Sequence, residues 1–516
     1  MKRNTPTRNS SVRRILEQFK VATDTKDFQQ GIDLLERANR LEPGNVYLRV
    51  ALGGAHGLRM DYAAAEKCFE QALKFSPRPT DTLAAIGRQC QHFYTSELAQ
   101  RYWQRAIGQK DATADMIGEL AELCERHRRI ADARSLIDRA LHLNPDCPAA
   151  LIVKARLERQ AGALESAEKI LQSFPANAAP DTRVRAWYEL GDVLDRLGRY
   201  DEAMAVFHKA KWLLRPYAGE LQAALRVMRS RMSSTVSLAT AEVLRRWVDE
   251  CLPETRPHRL ALLGGHPRSG TTLLEQVLDS HPDIISAEET DIFLDEALTP
   301  LLRSGQDSGN LDGTFSTLAA ATPMQLNKLG ANYFRAMEIV LNQSIAGRLL
   351  IDKNPSLTFL APSLIRFFPG IKFLIALRDP RDVLLSCFMR YLPLNQVATA
   401  FYSLEGGVSE YATVMGLWQT VASRMPNPCL AVRYEDMVED LESVARKTLD
   451  FLGVTWDARV LGFDEHARNK VVRSPTYADV TQPVYKRARG RWRNYQKHLE
   501  PYLAKLEPFV KAFGYE

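Results

Sequence analysis

The chain has 516 residues, 68 basic and 62 acidic, for a formal net charge of +6, with 45% hydrophobic and 25% charged side chains. That length supplies two or three cores, and the composition is that of an ordinary soluble protein, with no basic block that would mark a nucleic-acid binder. No apolar run approaches the ~20 residues of a membrane span, and the opening MKRNTPTRNSSVRR has no apolar signal segment, so a cytoplasmic location is expected. The seven cysteines (Cys68, Cys90, Cys124, Cys147, Cys251, Cys387, Cys429) are scattered and never in a CxxC pair. They read as reduced thiols rather than disulfides or a zinc site.

From the N-terminus, a 34-residue period governs the pattern. Ala38, Ala72, Ala106 and Ala140 recur at that spacing, as do Gly31, Ala65, Ala99 and Ala133. A bulky residue returns between them at Leu35, Phe69, Trp103 and Ile137, and Pro43, Pro77 and Pro145 close three units. A fifth unit is irregular, with Phe174 where alanine is expected and an early Pro175. The sixth, WYELGDVLDRLGRYDEAMAVFHKA, carries Trp187, Leu190, Gly191, Gly198, Tyr200, Ala203, Phe207 and Ala210. Small residues at such positions let paired helices cross closely while large ones fill the neighbouring hole. This pattern resembles the tetratricopeptide repeat, which implies an all-α solenoid of six helix pairs over about residues 12–215, in a first domain of residues 1–230. Such an array either docks a peptide or protein on its concave face or acts as a rigid spacer for a homodimer.

Residues 231–258 are expected to form a linker with one amphipathic helix. Beyond it, over 259–516, the texture changes. LALLGG (260–265), RLLID (348–352), KFLIAL (372–377) and CLAVRY (429–434) read as buried strands separated by helical patterns. Alternation of this kind predicts an α/β domain with a parallel sheet, whose ligands sit at the carboxyl ends of the strands. The first strand runs into HPRSGTT and then a helix, TLLEQVLDS. A glycine-containing loop opening a helix presents backbone N–H groups to a phosphate, as in a P-loop, and Arg268, Ser269, Gly270, Thr271 and Thr272 form it. The lysine of GxxxxGK[ST] is absent, with Thr271 in its place, which argues against a P-loop kinase.

The stretch PRSGTTLLEQVLDSHPDIISAEET resembles the 5′-phosphosulfate loop of sulfotransferases, the tyrosylprotein type above all. That resemblance implies 3′-phosphoadenosine 5′-phosphosulfate (PAPS) as sulfuryl donor, with no metal. FLIALRDPRDVLLSCFMR is similar to the family's 3′-phosphate site, which implies Arg378 and Ser386, with Arg390 one turn on; read alone, Arg378 and Asp379 would form a surface ion pair. LLIDKNPS resembles the family's Lys-Asp-Pro stretch, with Asn354 in place of aspartate. Lys353 is then the catalytic lysine, placed to neutralise charge on the bridging oxygen of the breaking bond, with Arg268 beside it in the catalytic set. Glu289 matches the family's catalytic carboxylate; Glu288, His266 and His281 are the competing bases. By the same resemblance Tyr434 meets the adenosine and Ser474 the 3′-phosphate, while Lys486, Arg487, Arg489 and Arg491 compensate for Gln482, which stands where the family has a lysine. Asp291 replaces an arginine suited to acidic acceptors. Repeats ahead of such a domain are similar to a bacterial sulfotransferase family. The expected function is PAPS-dependent transfer to an acceptor hydroxyl, as on a tyrosine of a peptide or protein docked by the repeats. The alternatives are a carbohydrate, lipid or small-molecule hydroxyl, or a scaffold whose α/β domain is inactive.

Overall fold

The periodic small residues are where helices meet. A computed structural model describes residues 9–24, 26–250, 258–304, 313–469 and 488–515, and the chain forms two compact units, Met1–Ala161 and Gly162–Glu516. In the first unit Phe28–Leu41, Tyr62–Phe75, Glu97–Ile107 and Ile130–Leu143 each pack on the helix before them. Ala38, Ala65, Ala72, Ala99, Ala106, Ala133 and Ala140 are all fully buried at these crossings. Size matters there: a Cβ added to Gly53 would lie 2.4 Å from the Phe69 ring, and one added to Gly87 2.9 Å from Trp103. The turn inside three of the pairs uses one left-handed residue at the repeating position, Lys26, Met60 and Arg128.

The second unit opens with the helices Leu164–Gln172, Pro180–Arg196 and Tyr200–Leu214. Phe174 and Pro175 fall just past the end of the first of these, since the residue before a proline avoids helical geometry. Ala203, Phe207 and Ala210 are fully buried, and Gly198, in left-handed geometry, makes the turn of the last pair. A single helix, Gly219–Leu238, then runs through residue 230, followed by Ala241–Asp249. It is joined to the helix Leu404–Ala422 by a buried Arg229–Glu410 ion pair.

The described residues form one five-stranded parallel sheet. Its strands are β1 (Arg259–Gly265), β2 (Ile284–Glu288), β3 (Leu349–Lys353), β4 (Lys372–Leu377) and β5 (Cys429–Arg433), in the order β2-β3-β1-β4-β5. Four of these are the apolar runs read from the sequence. β2 is additional: IISAE is short and half polar, and its pairing with β3, Ala287 opposite Asp352, makes it a strand. Ala261, Leu263, Leu274, Val277, Ile351, Leu374 and Val432 fill the core on one side of the sheet. After β1 the chain moves to one side of that strand and after β4 to the other, so the connections diverge between them, where open α/β sheets bind ligands. No helix among the described residues is long and apolar enough to cross a membrane.

Candidate active site at the carboxyl ends of the strands

The end of β1 admits nothing larger than glycine. At Gly265, φ is +124° and an added Cβ would lie 2.4 Å from the Ala376 carbonyl oxygen; Thr358 Oγ1 accepts the Gly265 N–H at 2.8 Å. Arg268 (φ 73°) and Gly270 (φ 94°) then turn the chain through two left-handed residues into the helix Thr271–Asp279. Because Gly270 caps that helix without a side chain, the first-turn N–H groups and the positive end of the helix dipole meet the loop with no side-chain cap of their own. Ser269, Thr271 and Thr272 are buried around them.

Arg378 follows directly on β4 and turns back to this loop. Its Nη1 donates to the Arg268 carbonyl at 3.3 Å and its Nη2 to Ala488 O at 2.5 Å, while the guanidinium lies 5.0 Å from the Tyr434 ring centre. Arg378 Nε is buried and has no acceptor among the described residues. Asp379 does not take Arg378 as partner; it binds Arg381 at 2.8 Å through both carboxylate oxygens. Ser386, on the helix Pro380–Phe388, accepts a hydrogen bond from Arg268 Nε at 3.1 Å. Residues 110 apart in sequence, Arg268 and Arg378, are therefore neighbours, Arg268 also of Ser386 and Arg378 also of Tyr434.

Lys353 ends β3 with no exposed surface. Its Nζ lies 2.8 Å from Glu289 Oε1, 3.4 Å from Glu288 Oε1 and 3.4 Å from Glu275 Oε2. Burial by itself would pull this ammonium down, but Glu275, Glu289 and Glu288 together push it above the ordinary lysine range. Glu289 sits at φ 46°, a left-handed conformation that a non-glycine residue keeps only when its surroundings impose it. The constraint is visible: Glu289 N–H donates to Lys353 O at 2.7 Å, and Asn354 Nδ2 donates to Thr290 O at 2.8 Å. An aspartate at 354 would have no amide hydrogen to give, so the asparagine here secures the Glu289 corner.

Two groups escaped the sequence reading. Glu275, fully buried, accepts Ser286 Oγ–H at 2.9 Å besides facing Lys353. Asp352 accepts from Tyr333 OH at 2.9 Å, and burial pushes its carboxyl up to about 7. The available signal was a carboxylate flanked by apolar residues, between the leucine pair and Val277-Leu278 in LLEQVL and at the close of the run LLID.

Of the rival bases, Glu288 shares the Lys353 cluster while the two histidines lie elsewhere. His266 is buried against Phe401 and Tyr411 with Nδ1 2.9 Å from Pro267 O, and burial lowers it to about 4. His281 Nδ1 accepts Asp283 N–H at 3.1 Å while Nε2 donates to Thr455 O at 2.8 Å, so both nitrogens are engaged beneath the loop. Other expected donor contacts have protein partners here: Arg390 faces Asp192 at 3.6 Å, Arg489 pairs with exposed Glu439 at 3.2 Å, and Arg491 binds Asp195 at 2.5 Å. Ser474, Gln482, Lys486 and Arg487 lie outside the described residues. No group of three or more His, Cys, Asp or Glu among the described residues is arranged to hold a metal ion.

Residues 261–458, which contain this whole constellation, match the sulfotransferase family, and residues 126–187 and 184–211 match the tetratricopeptide repeat. The chain carries a sulfotransferase-family domain together with tetratricopeptide repeats. An uncharacterised protein of Aquifex aeolicus is 24% identical over 401 residues, 77% of this chain and 50% of its own length. The protein-tyrosine sulfotransferase of Drosophila melanogaster is 28% identical over 275 residues, 50% of this chain and 52% of that protein. Protein-tyrosine sulfotransferase 1 of Danio rerio is 29% identical over 278 residues, 50% of this chain and 72% of that protein. The chain thus spans about half the length of the first two relatives. Within the sulfotransferase domain, the loop, Arg378 with Ser386, and Lys353 with its glutamates gather at the carboxyl ends of adjacent strands.

Proposed function

We propose that the chain is a PAPS-dependent sulfotransferase that moves a sulfuryl group to an acceptor hydroxyl, with a tyrosine of a peptide or protein docked by the repeats as the leading acceptor. The observation that carries the reading is the convergence of three separate segments, 265–272, 353 and 378–386, on either side of β1, together with the spare N–H of Arg378. In this reading the loop N–H groups with Ser269, Thr271 and Thr272 hold the 5′-phosphate, Arg378 and Ser386 hold the 3′-phosphate, and Tyr434 meets the adenosine. Fixed donors aimed at developing charge are the largest single source of rate in such displacements. The acceptor oxygen attacks sulfur as the bond from sulfur to the bridging phosphate oxygen breaks. Lys353 faces the charge left on that oxygen, and the hydroxyl proton passes to Glu289, whose side chain is 45% exposed and so open to an acceptor. The products are a sulfate ester and adenosine 3′,5′-bisphosphate.

Calorimetry without Mg²⁺ tests the donor site. Adenosine 3′,5′-bisphosphate is expected to bind much more tightly than ADP to the wild type, and Arg378→Ala should abolish that preference. Equal binding of both nucleotides, or a requirement for Mg²⁺ with ADP, would overturn the reading. Asp291, exposed two residues beyond Glu289, disfavours acidic acceptors and supports a second reading in which the hydroxyl belongs to a carbohydrate, lipid or small molecule. A panel of acceptors assayed with radiolabelled donor separates the two.

A further inference from the structure

The last helical repeat belongs to the same compact unit as the sheet, and its acidic side chains reach the turn after the Ser386 helix and the stretch that follows Ala488. On the helix Pro180–Arg196, Asp181 accepts Tyr391 OH at 2.8 Å and Asp192 faces Arg390, both just beyond the helix that carries Ser386. Asp195 takes two partners: Arg491 at 2.5 Å and Tyr495 OH at 2.7 Å. On the following helix, Lys211 Nζ lies 4.3 Å from the centre of the Phe388 ring. The repeat therefore holds both the turn that follows the Ser386 helix and the stretch 491–495.

Arg491 sits between two residues held from the opposite side. Asp382 accepts Gly490 N–H and Trp492 N–H, each at 2.7 Å, and lies 3.8 Å from Arg378 Nη2, which also donates to Ala488 O. The stretch Ala488–Trp492 is thus pinned on one side by Asp382 and Arg378 and on the other, through the Arg491 side chain, by Asp195 on the repeat.

We propose that Asp195 is a positioning residue of the donor site: by holding Arg491 and Tyr495 it keeps Ala488–Trp492 on Asp382 and so sets the Arg378 guanidinium for a 3′-phosphate. The final repeat is then part of the enzyme as well as of the array. This inference rests on the reading of Arg378 as a 3′-phosphate ligand. A carboxylate that satisfies an arginine and a tyrosine hydroxyl at once constrains two side chains at one point, and networks of this kind transmit mutational effects of about 0.5–2 kcal/mol, or roughly 2- to 30-fold in affinity.

The test uses the full chain, with calorimetry of adenosine 3′,5′-bisphosphate and of AMP, which lacks the 3′-phosphate, alongside thermal melts. Asp195→Asn should weaken the bisphosphate by roughly 2- to 30-fold and leave AMP unchanged. Tyr495→Phe, which removes one of the two bonds and keeps the ring, should shift binding in the same direction by less. Asp201→Asn is the control: its contacts with Lys497 and His498 join the same repeat to the helix Gln496–Ala512, which follows Tyr495, but at the exposed surface. Both nucleotides should bind that variant as they bind the wild type. Unchanged bisphosphate binding in Asp195→Asn and Tyr495→Phe, or equal loss of both nucleotides with a lowered melting temperature, would overturn the positioning role and leave the donor reading standing. If the wild type itself fails to bind the bisphosphate, the donor reading falls first and takes the positioning role with it.

Discussion

Replacing Lys353 by methionine keeps most of the length of the side chain, one atom shorter, and removes its charge from a cage of three carboxylates. Lys353 and Glu275 are both fully buried and 3.4 Å apart, so the variant strands a carboxylate where water cannot reach it. Breaking one side of a buried ion pair typically costs about 3–5 kcal/mol. Glu289 adds little to that figure, because its side chain is 45% exposed and screened by solvent. The double variant Lys353→Met, Glu275→Gln removes one of the two buried charges left behind, Glu288 being only 7% exposed, and keeps an acceptor for Ser286 Oγ–H, so part of the lost stability should return. Activity should not return with it. In the proposed mechanism Lys353 is the cation facing the leaving oxygen and is absent from both variants, and loss of one such stabilising group lowers kcat on the order of 10²–10³-fold. Urea denaturation followed by circular dichroism, with steady-state sulfuryl transfer on the same samples, gives both quantities. A single variant that loses less than about 1 kcal/mol, or a double variant no more stable than the single, would refute the Lys353–Glu275 pairing. Recovered activity in the double variant would refute the role of Lys353 at the leaving oxygen.

Two further outcomes follow from the loop. His266 is buried neutral, its folded value lowered from 6.5 to about 4, so its contribution is complete above pH 6.5 and is lost as the pH falls through about 4. That shift amounts to about 3 kcal/mol, and His266→Gln should flatten the fall in urea midpoint between pH 7.5 and pH 4.5; parallel profiles for wild type and variant would count against it. Gly265→Ala places a Cβ 2.4 Å from the Ala376 carbonyl at a positive φ, which should cost about 1–3 kcal/mol and weaken adenosine 3′,5′-bisphosphate binding further by shifting the loop. A melting temperature equal to that of the wild type would show that the backbone there has room to move.

Local chemistry made much of this protein legible in its sequence. The loop after β1 is one continuous stretch whose glycines and hydroxyls stand next to one another, and a helical repeat returns its small and large residues at a constant interval because each pair packs the same way. Four of the strands were equally plain as short apolar runs: β1, β3 and β4 are buried almost throughout, whereas β5, at the sheet edge, is apolar in sequence but partly exposed. Lys353 and Glu289 were marked by resemblance to a family, whereas their neighbours were not: Glu275 and Asp352 look like misplaced charges until the fold supplies Lys353 and Tyr333. β2 became a strand through hydrogen bonds to β3, a partner more than 60 residues away, and its polar half concealed it. The basic residues near the C-terminus show the limit most clearly. Their charge suggested a nucleotide, but Arg491 meets Asp195 across a sequence separation of 296 residues. Composition and spacing report which groups a chain possesses; only the closing of the chain in three dimensions decides which opposite charges are brought within reach, because that depends on every element packed between them.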